Sequence, residues 1–163
     1  GMGYWEKDVL QWQLVRREVQ SRPHLEWVFF VNLQTYVIAP NLCALLSRMQ
    51  SVAREPVLIG RPMLAKGSLF PGASSSAGFL LSVAGLEAFA NSTGDFRGLL
   101  KGGPPSKFFA EAGLFVRDSR DELGRERFLL FSPLGELYEK PQPWAQAHCC
   151  WFVEQSFYGF HTG

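Results

Sequence analysis

The stretch Trp27-Val28-Phe29-Phe30-Val31-Asn32-Leu33-Gln34-Thr35-Tyr36-Val37, with Pro40-Asn41-Leu42 just beyond it, decides how the chain folds. Residues 27–31 are an unbroken apolar run of strand length, as expected of a strand covered on both faces. Residues 32–35, polar except for Leu33, predict a turn, and Pro40 suits the first turn of a helix. Upstream, Trp5, Val9, Trp12, Val15 and Val19 recur at helical spacing and predict an amphipathic helix over 4–20, closed off by Pro23. Downstream, Leu42, Leu45, Leu46, Met49 and Val52 form a second helical stripe, and Val57-Leu58-Ile59-Gly60 reads as another short buried strand. Helix, strand, helix and strand in alternation predict an α/β layer fold with a largely parallel sheet. The 27–31 strand is expected at its centre, with Asn32-Leu33-Gln34 at the carboxyl end, where such sheets present ligands.

Further along, residues 67–78 are rich in Gly and Ser. Gly78-Phe79-Leu80-Leu81 then leads into a helix that carries Leu86 and Phe89, with Ser82 as its N-cap. Residues 91–106 contain Gly94, Gly98, Gly102, Gly103, Pro104 and Pro105 and read as a loop. A short helix over 106–112 should stop at Gly113. Residues 127–131 read as a strand and 150–157 as an edge strand.

At 163 residues and 18.3 kDa the chain reads as one domain, 1–163, with a single sizeable core. Its 47% hydrophobic and 14% aromatic content belongs to folded globular proteins. A formal net charge of +1 gives no footprint for nucleic acid or an anionic membrane. No apolar run reaches the roughly 18 residues that cross a bilayer. No signal peptide is read, and Gly1-Met2 resembles a tag remnant before a start methionine. Cys43, Cys149 and Cys150 are too few for a disulfide scaffold. Asn91-Ser92-Thr93 fits a glycosylation sequon, which matters only in a secretory lumen.

Several of these pieces, in this order, resemble the core-1 β1,3-galactosyltransferase family of fringe-like glycosyltransferases. They are Tyr4-Trp5 with Lys7, residues 27–37, Asn41-Leu42 with Leu45-Leu46, Pro56 to Gly60-Arg61, and Ser75-Ser76-Ala77-Gly78-Phe79-Leu80-Leu81-Ser82. The most specific match is Asp118-Ser119-Arg120-Asp121, followed by Gly124-Arg125-Glu126-Arg127-Phe128 and Phe131-Ser132-Pro133. Cys149-Cys150 and Ser156-Phe157 also have family counterparts. The resemblance implies a partial GT-A-like mixed sheet flanked by helices, matching only the second half of a family catalytic domain. The first half, with the nucleotide-binding units, has no counterpart here. In the full family fold the sheet continues into those strands, so one sheet edge is expected to lack its cover, the alternative being that residues 150–157 or the Gly/Pro-rich loop folds back over it.

The family's acidic metal-binding triplet falls on Asn32-Leu33-Gln34. Amides carry no charge and Leu33 has no donor atom, so a hard cation should bind weakly or not at all. The family's Gly-Gly pair, in a loop that approaches substrate, falls on Ser75-Ser76, ahead of Gly78. Its Glu-Asp-x-x-Leu-Gly element, which supplies the base, falls on Lys101-Gly102-Gly103-Pro104-Pro105-Ser106. Glycosyl transfer needs charge on the leaving diphosphate and a base near the attacking oxygen. The dedicated chaperone of core-1 synthase resembles the enzyme and also lacks the triplet.

The resemblance therefore implies a non-catalytic binding or chaperone-like role in protein O-glycosylation, in the Golgi or endoplasmic reticulum lumen, with a protein partner or self-association and no cofactor. One alternative is a divergent, active β1,3-glycosyltransferase using a UDP-sugar and manganese. It would recruit other carboxylates from Asp95, Asp118, Asp121 and Glu122, with Asp118 and Asp121 the candidate catalytic residues. The other is a truncated product with no selected function.

Residue by residue, plainer readings compete. Asp118-Ser119-Arg120-Asp121 could position a ligand, with Arg120 clamping a phosphate, or form a solvated turn. His148, Cys149, Cys150 and His161 have metal-binding atom types but poor spacing for zinc. Ser74-Ser75-Ser76 lacks the Lys of a P-loop, and no Gly-x-Ser-x-Gly elbow accompanies His24, His148 or His161. Trp5, Trp12 and Trp27 read as core. Trp144 and Trp151 are the better candidates for exposed contacts.

Overall fold

A computed structural model describes residues 4–33, 35, 37–63, 72–73, 77–102, 105–117, 119–121 and 127–128. The first helix, α1, spans Tyr4–Gln20. After a turn comes strand β1, Trp27–Phe30, and then α2, Ala39–Arg48, with proline in its first turn. A 3-10 turn over Gln50–Val52 leads to β2, Leu58–Gly60, and to a small hairpin of β3, Pro62–Met63, with β4, Gly72–Ala73. Strand β5, Phe79–Ser82, runs directly into α3, Val83–Ser92. A 3-10 helix over Arg97–Lys101, then α4, Pro105–Glu111, and β6, Val116–Arg117, follow.

The main sheet has the order β1-β5-β2-β6. β5 is antiparallel to both neighbours, and β2 and β6 are parallel, so the sheet is mixed. This corrects the expectation of a largely parallel sheet. It also moves β1, expected at the centre, to the sheet edge among the described residues. Both errors have one cause. Helices on the two faces make β1, β2 and β5 apolar runs, and such a run carries no information about strand direction or lateral neighbours.

Alternation along the strands splits the interior in two. Val28, Phe30, Leu58, Phe79 and Leu81 face α1, α3 and α4, while Trp27, Phe29, Val57, Ile59 and Leu80 face α2. On the first face, Trp12 of α1 meets Phe30 at 4.4 Å, Phe89 at 5.0 Å, Phe96 at 5.7 Å and Phe109 at 6.1 Å between ring centroids. The tryptophans expected to share one core therefore divide, since Trp12 and Trp27 lie on opposite faces of the sheet. The Trp27 indole N–H is buried and has no hydrogen-bond partner among the described residues.

Ser82 caps α3 as the sequence predicts, accepting from the Gly85 N–H at 3.0 Å. Its hydroxyl also donates to the Glu55 carbonyl at 2.6 Å and accepts from the Val57 N–H at 3.0 Å. α4 ends before Gly113, whose φ of +73° suits a helix stop. The expected loop over 91–106 is more structured than its glycines and prolines suggest. Phe96 is fully buried inside it at a φ of +66°, directly after Asp95 at +55°. Two adjacent non-glycine residues in this region are strained, and the strain is held in place from α1. Arg16 pairs with Asp95 at 2.9 Å and with Glu87 at 2.6 Å, and Gln13 donates to the Asp95 carboxylate at 2.9 Å.

Residues 127 and 128 are irregular rather than strand. The rest of that expected strand, the expected strand over 150–157, and Trp144, His148, Cys149, Cys150, Trp151 and His161 lie outside the described residues.

Candidate functional site at the carboxyl end of the sheet

Because β5 is antiparallel to both β1 and β2, those two strands point the same way, and β6 points with them. The carboxyl ends of β1, β2 and β6 and the amino end of β5 therefore lie along one end of the sheet. Phe30, Phe79 and Gly60 form the last shared row. Just past it come Asn32-Leu33 from β1, Arg61 from β2, Ala77-Gly78 before β5 and Ser119-Arg120-Asp121 after β6. The sequence motifs singled out above thus converge where an α/β sheet offers ligands.

The β1 turn is held by local bonds. The Asn32 N–H donates to the Thr35 hydroxyl at 3.1 Å, the Thr35 N–H donates to the Asn32 carbonyl at 3.1 Å, and the Thr35 hydroxyl donates to the Asn32 Oδ1 at 3.2 Å. Leu33 at the tip is fully exposed, and Val31 beside it is 53% exposed. Position 32 thus offers a neutral amide already serving as a turn acceptor. Gln34 lies outside the described residues.

Packing alone requires glycine at position 78. Its φ is +76°, and a Cβ there would sit 2.9 Å from the Phe29 ring and 3.0 Å from the Phe30 carbonyl. Only glycine fits without strain. Ser75 and Ser76 lie outside the described residues, as do Asp118 and Glu122.

The 119–121 segment is not a solvated turn. Ser119 is only 1% exposed, its hydroxyl lies 3.4 Å from the Gly60 carbonyl it donates to, and Arg120 and Asp121 are half-buried. Arg127 Nη1 donates to the Ser119 carbonyl at 2.8 Å. Phe128 packs edge-on against Phe29 at 6.2 Å, drawing this stretch across the α2 face. Arg61 is 3% exposed, a buried cation directly beyond β2. Sequence reasoning quoted Arg61 and Arg127 as part of a motif but gave them no place in the site. Their only signal was that motif.

The other named positions lie elsewhere. Asp95 is committed to Arg16 and Gln13 of α1. Asn91 is exposed near the end of α3, but Thr93 of its sequon is buried, donating to the Phe89 carbonyl at 2.6 Å and accepting from the Phe96 N–H. A modifying enzyme that reads the threonine hydroxyl must therefore meet the chain before Thr93 is packed. In the stretch matched to the family's base element, the described positions are Lys101, Gly102, Pro105 and the buried Ser106, none of them a carboxylate.

Among the described residues no three His, Cys, Asp or Glu side chains are grouped to hold a metal ion. No described helix is long and apolar enough to cross a membrane. No protein-family model matches the chain, and no curated protein matches it in sequence.

Proposed function

We propose that the chain is a non-catalytic, partner-binding domain on a β1,3-galactosyltransferase-like scaffold, acting in protein O-glycosylation within the Golgi or endoplasmic reticulum lumen. The observation that carries this is the turn closing β1. It stands where the resemblance implies metal-binding carboxylates, and it offers a locally bonded amide at Asn32 and an exposed leucine at Leu33. Neither can neutralise a departing diphosphate. The mixed sheet with helices on both faces is compatible with the mixed layer that the resemblance implies, whereas the edge position of β1 among the described residues departs from it.

Calorimetric titration with a UDP-sugar, with and without manganese, tests the loss of chemistry. No manganese-dependent binding is expected. A ligand at 100 times its dissociation constant would stabilise the fold by about 2.7 kcal/mol, so an unchanged melting temperature is informative. Manganese-dependent binding that disappears in Asp121→Ala would overturn the proposal and restore the enzyme. The chaperone-like role has its own test, the refolding of denatured core-1 β1,3-galactosyltransferase with the chain present. A yield of active enzyme no better than with an equal concentration of albumin would remove that role.

A further inference from the structure

We infer that the outer edge of β1 pairs with the same edge of a second copy of this chain, forming a continuous antiparallel sheet about a twofold axis at Phe29. The register fixes which backbone groups are available. The Val83 N–H donates to the Glu26 carbonyl at 2.9 Å, which makes 26 and 83 a hydrogen-bonded pair. Independently, the Ser82 N–H donates to the Val57 carbonyl at 3.0 Å, so Ser82 turns toward β2 and Leu81 toward β1. Both observations give the same alternation. Val28 and Phe30 bond to β5, while Trp27, Phe29 and, by continuation, Val31 point their N–H and C=O groups away from the sheet. Among the described residues nothing pairs with that side.

This edge is self-complementary. The outward residues 27, 29 and 31 are symmetric about Phe29, so an antiparallel twofold sets 27 against 31 of the partner, 29 against 29, and 31 against 27. Every outward group then enters a hydrogen-bonded pair. Residues 27–47 contain no Asp, Glu, Lys or Arg, so the edge lacks the charges that natural edge strands use to discourage pairing. The same register sets Glu26 opposite Asn32 of the second copy, an acid facing a neutral amide. An acidic residue at 32 would place like charges opposite each other at two symmetry-related points. Val31 and Leu33, which continue β1 at this edge, are exposed and add apolar surface to the join. This inference goes beyond the proposed function and rests on the β1–β5 register, so it does not depend on whether transferase activity survives.

Sedimentation of the full chain across a concentration series is the test. A four-residue edge with a small apolar rim forms an interface below the standard size, so a weak dimer with a dissociation constant of roughly 10–100 μM is expected. Val31→Pro deletes an outward N–H at an exposed position and should weaken association at least about tenfold. Asn32→Asp keeps the acceptor that Thr35 uses but sets a carboxylate against Glu26, and should weaken it roughly 2–30-fold, with recovery in high salt. Adding Glu26→Gln to Asn32→Asp should restore the wild-type constant. Backbone hydrogen exchange gives a readout free of substitutions. With rising concentration Trp27, Phe29 and Val31 should gain protection, while Val28 and Phe30 stay unchanged. A wild-type chain that remains monomeric up to roughly 300 μM would overturn the inference. So would a dimer indifferent to Val31→Pro and Asn32→Asp, or protection that rises equally at all five amides.

Discussion

The α1 face of the sheet and the turn that closes β1 are built on opposite principles. On the α1 face, Trp12 touches four phenylalanines, Phe89 and Phe96 are almost completely buried, and the strained Asp95-Phe96 corner is clamped by Arg16 and Gln13. At the β1 turn, hydrogen bonds between Asn32 and Thr35 hold a loop in which Val31, Leu33 and Val37 are exposed. Conformational order is concentrated on one face, while the end of the sheet that would meet a ligand carries its apolar groups in water. The first region has the character of a scaffold and the second that of an exposed turn.

Substitutions can break this contrast or sharpen it. The largest effect is expected from Phe89→Ala. That ring is 1% exposed among Trp12, Phe96 and Phe109, and its loss should cost about 3–5 kcal/mol in denaturant melts. A cost below about 1 kcal/mol would show that the aromatic face is loosely packed. Gly78→Ala comes next, at about 1–3 kcal/mol, because the new methyl meets both the Phe29 ring and the Phe30 carbonyl at a positive φ. It would show that order reaches the rim of the site even though the neighbouring turn is open. Leu33→Ala, measured at dilute concentration, should change stability by no more than about 0.5 kcal/mol. A larger loss would mean that Leu33 is part of the fold rather than presented by it.

The smallest effect belongs to Asp8. Partial burial in α1 pushes its carboxyl above the usual carboxylate range. A raised carboxyl destabilises the fold where it is ionised, and that penalty disappears as pH falls through the folded value. Asp8→Asn should therefore melt slightly higher than wild type near pH 7 and match it near pH 3, as checked by thermal scans at both values. A wild-type advantage at neutral pH would reverse the sign.

How much of this the sequence disclosed depends on the range over which each feature is specified. Helix α1 was legible to the residue, because its stripe of Trp5, Val9, Trp12, Val15 and Val19 is local and periodic. The Ser82 cap and the Gly113 stop were legible for the same reason, each being set within a few residues. The antiparallel entry of β5 was not, since Phe79-Leu80-Leu81 is equally apolar in either direction. The buried Phe96 was hidden by the glycines around it, because its environment is supplied by Trp12 and Phe89 from distant parts of the chain. At the candidate site, the place of Asn32 followed from the apolar run that ends before it. The bond from Arg127 to the Ser119 carbonyl depends on tertiary placement that no local spacing encodes.

The hydroxyl of Ser82 carries a consequence of a different kind. A serine hydroxyl can donate one hydrogen bond and accept two, and all of that capacity is used, toward Glu55, Val57 and Gly85. Alanine would leave three backbone groups without this partner, the Val57 and Gly85 N–H groups among them in buried surroundings. Threonine would need room for a methyl group, and asparagine would not fit the same three directions. Any lineage that kept this fold would be under pressure to keep serine here whatever the domain does. A serine retained at this position across distant relatives would thus be a signature of architecture, and a search for nucleophiles by invariance alone would pick the wrong residue.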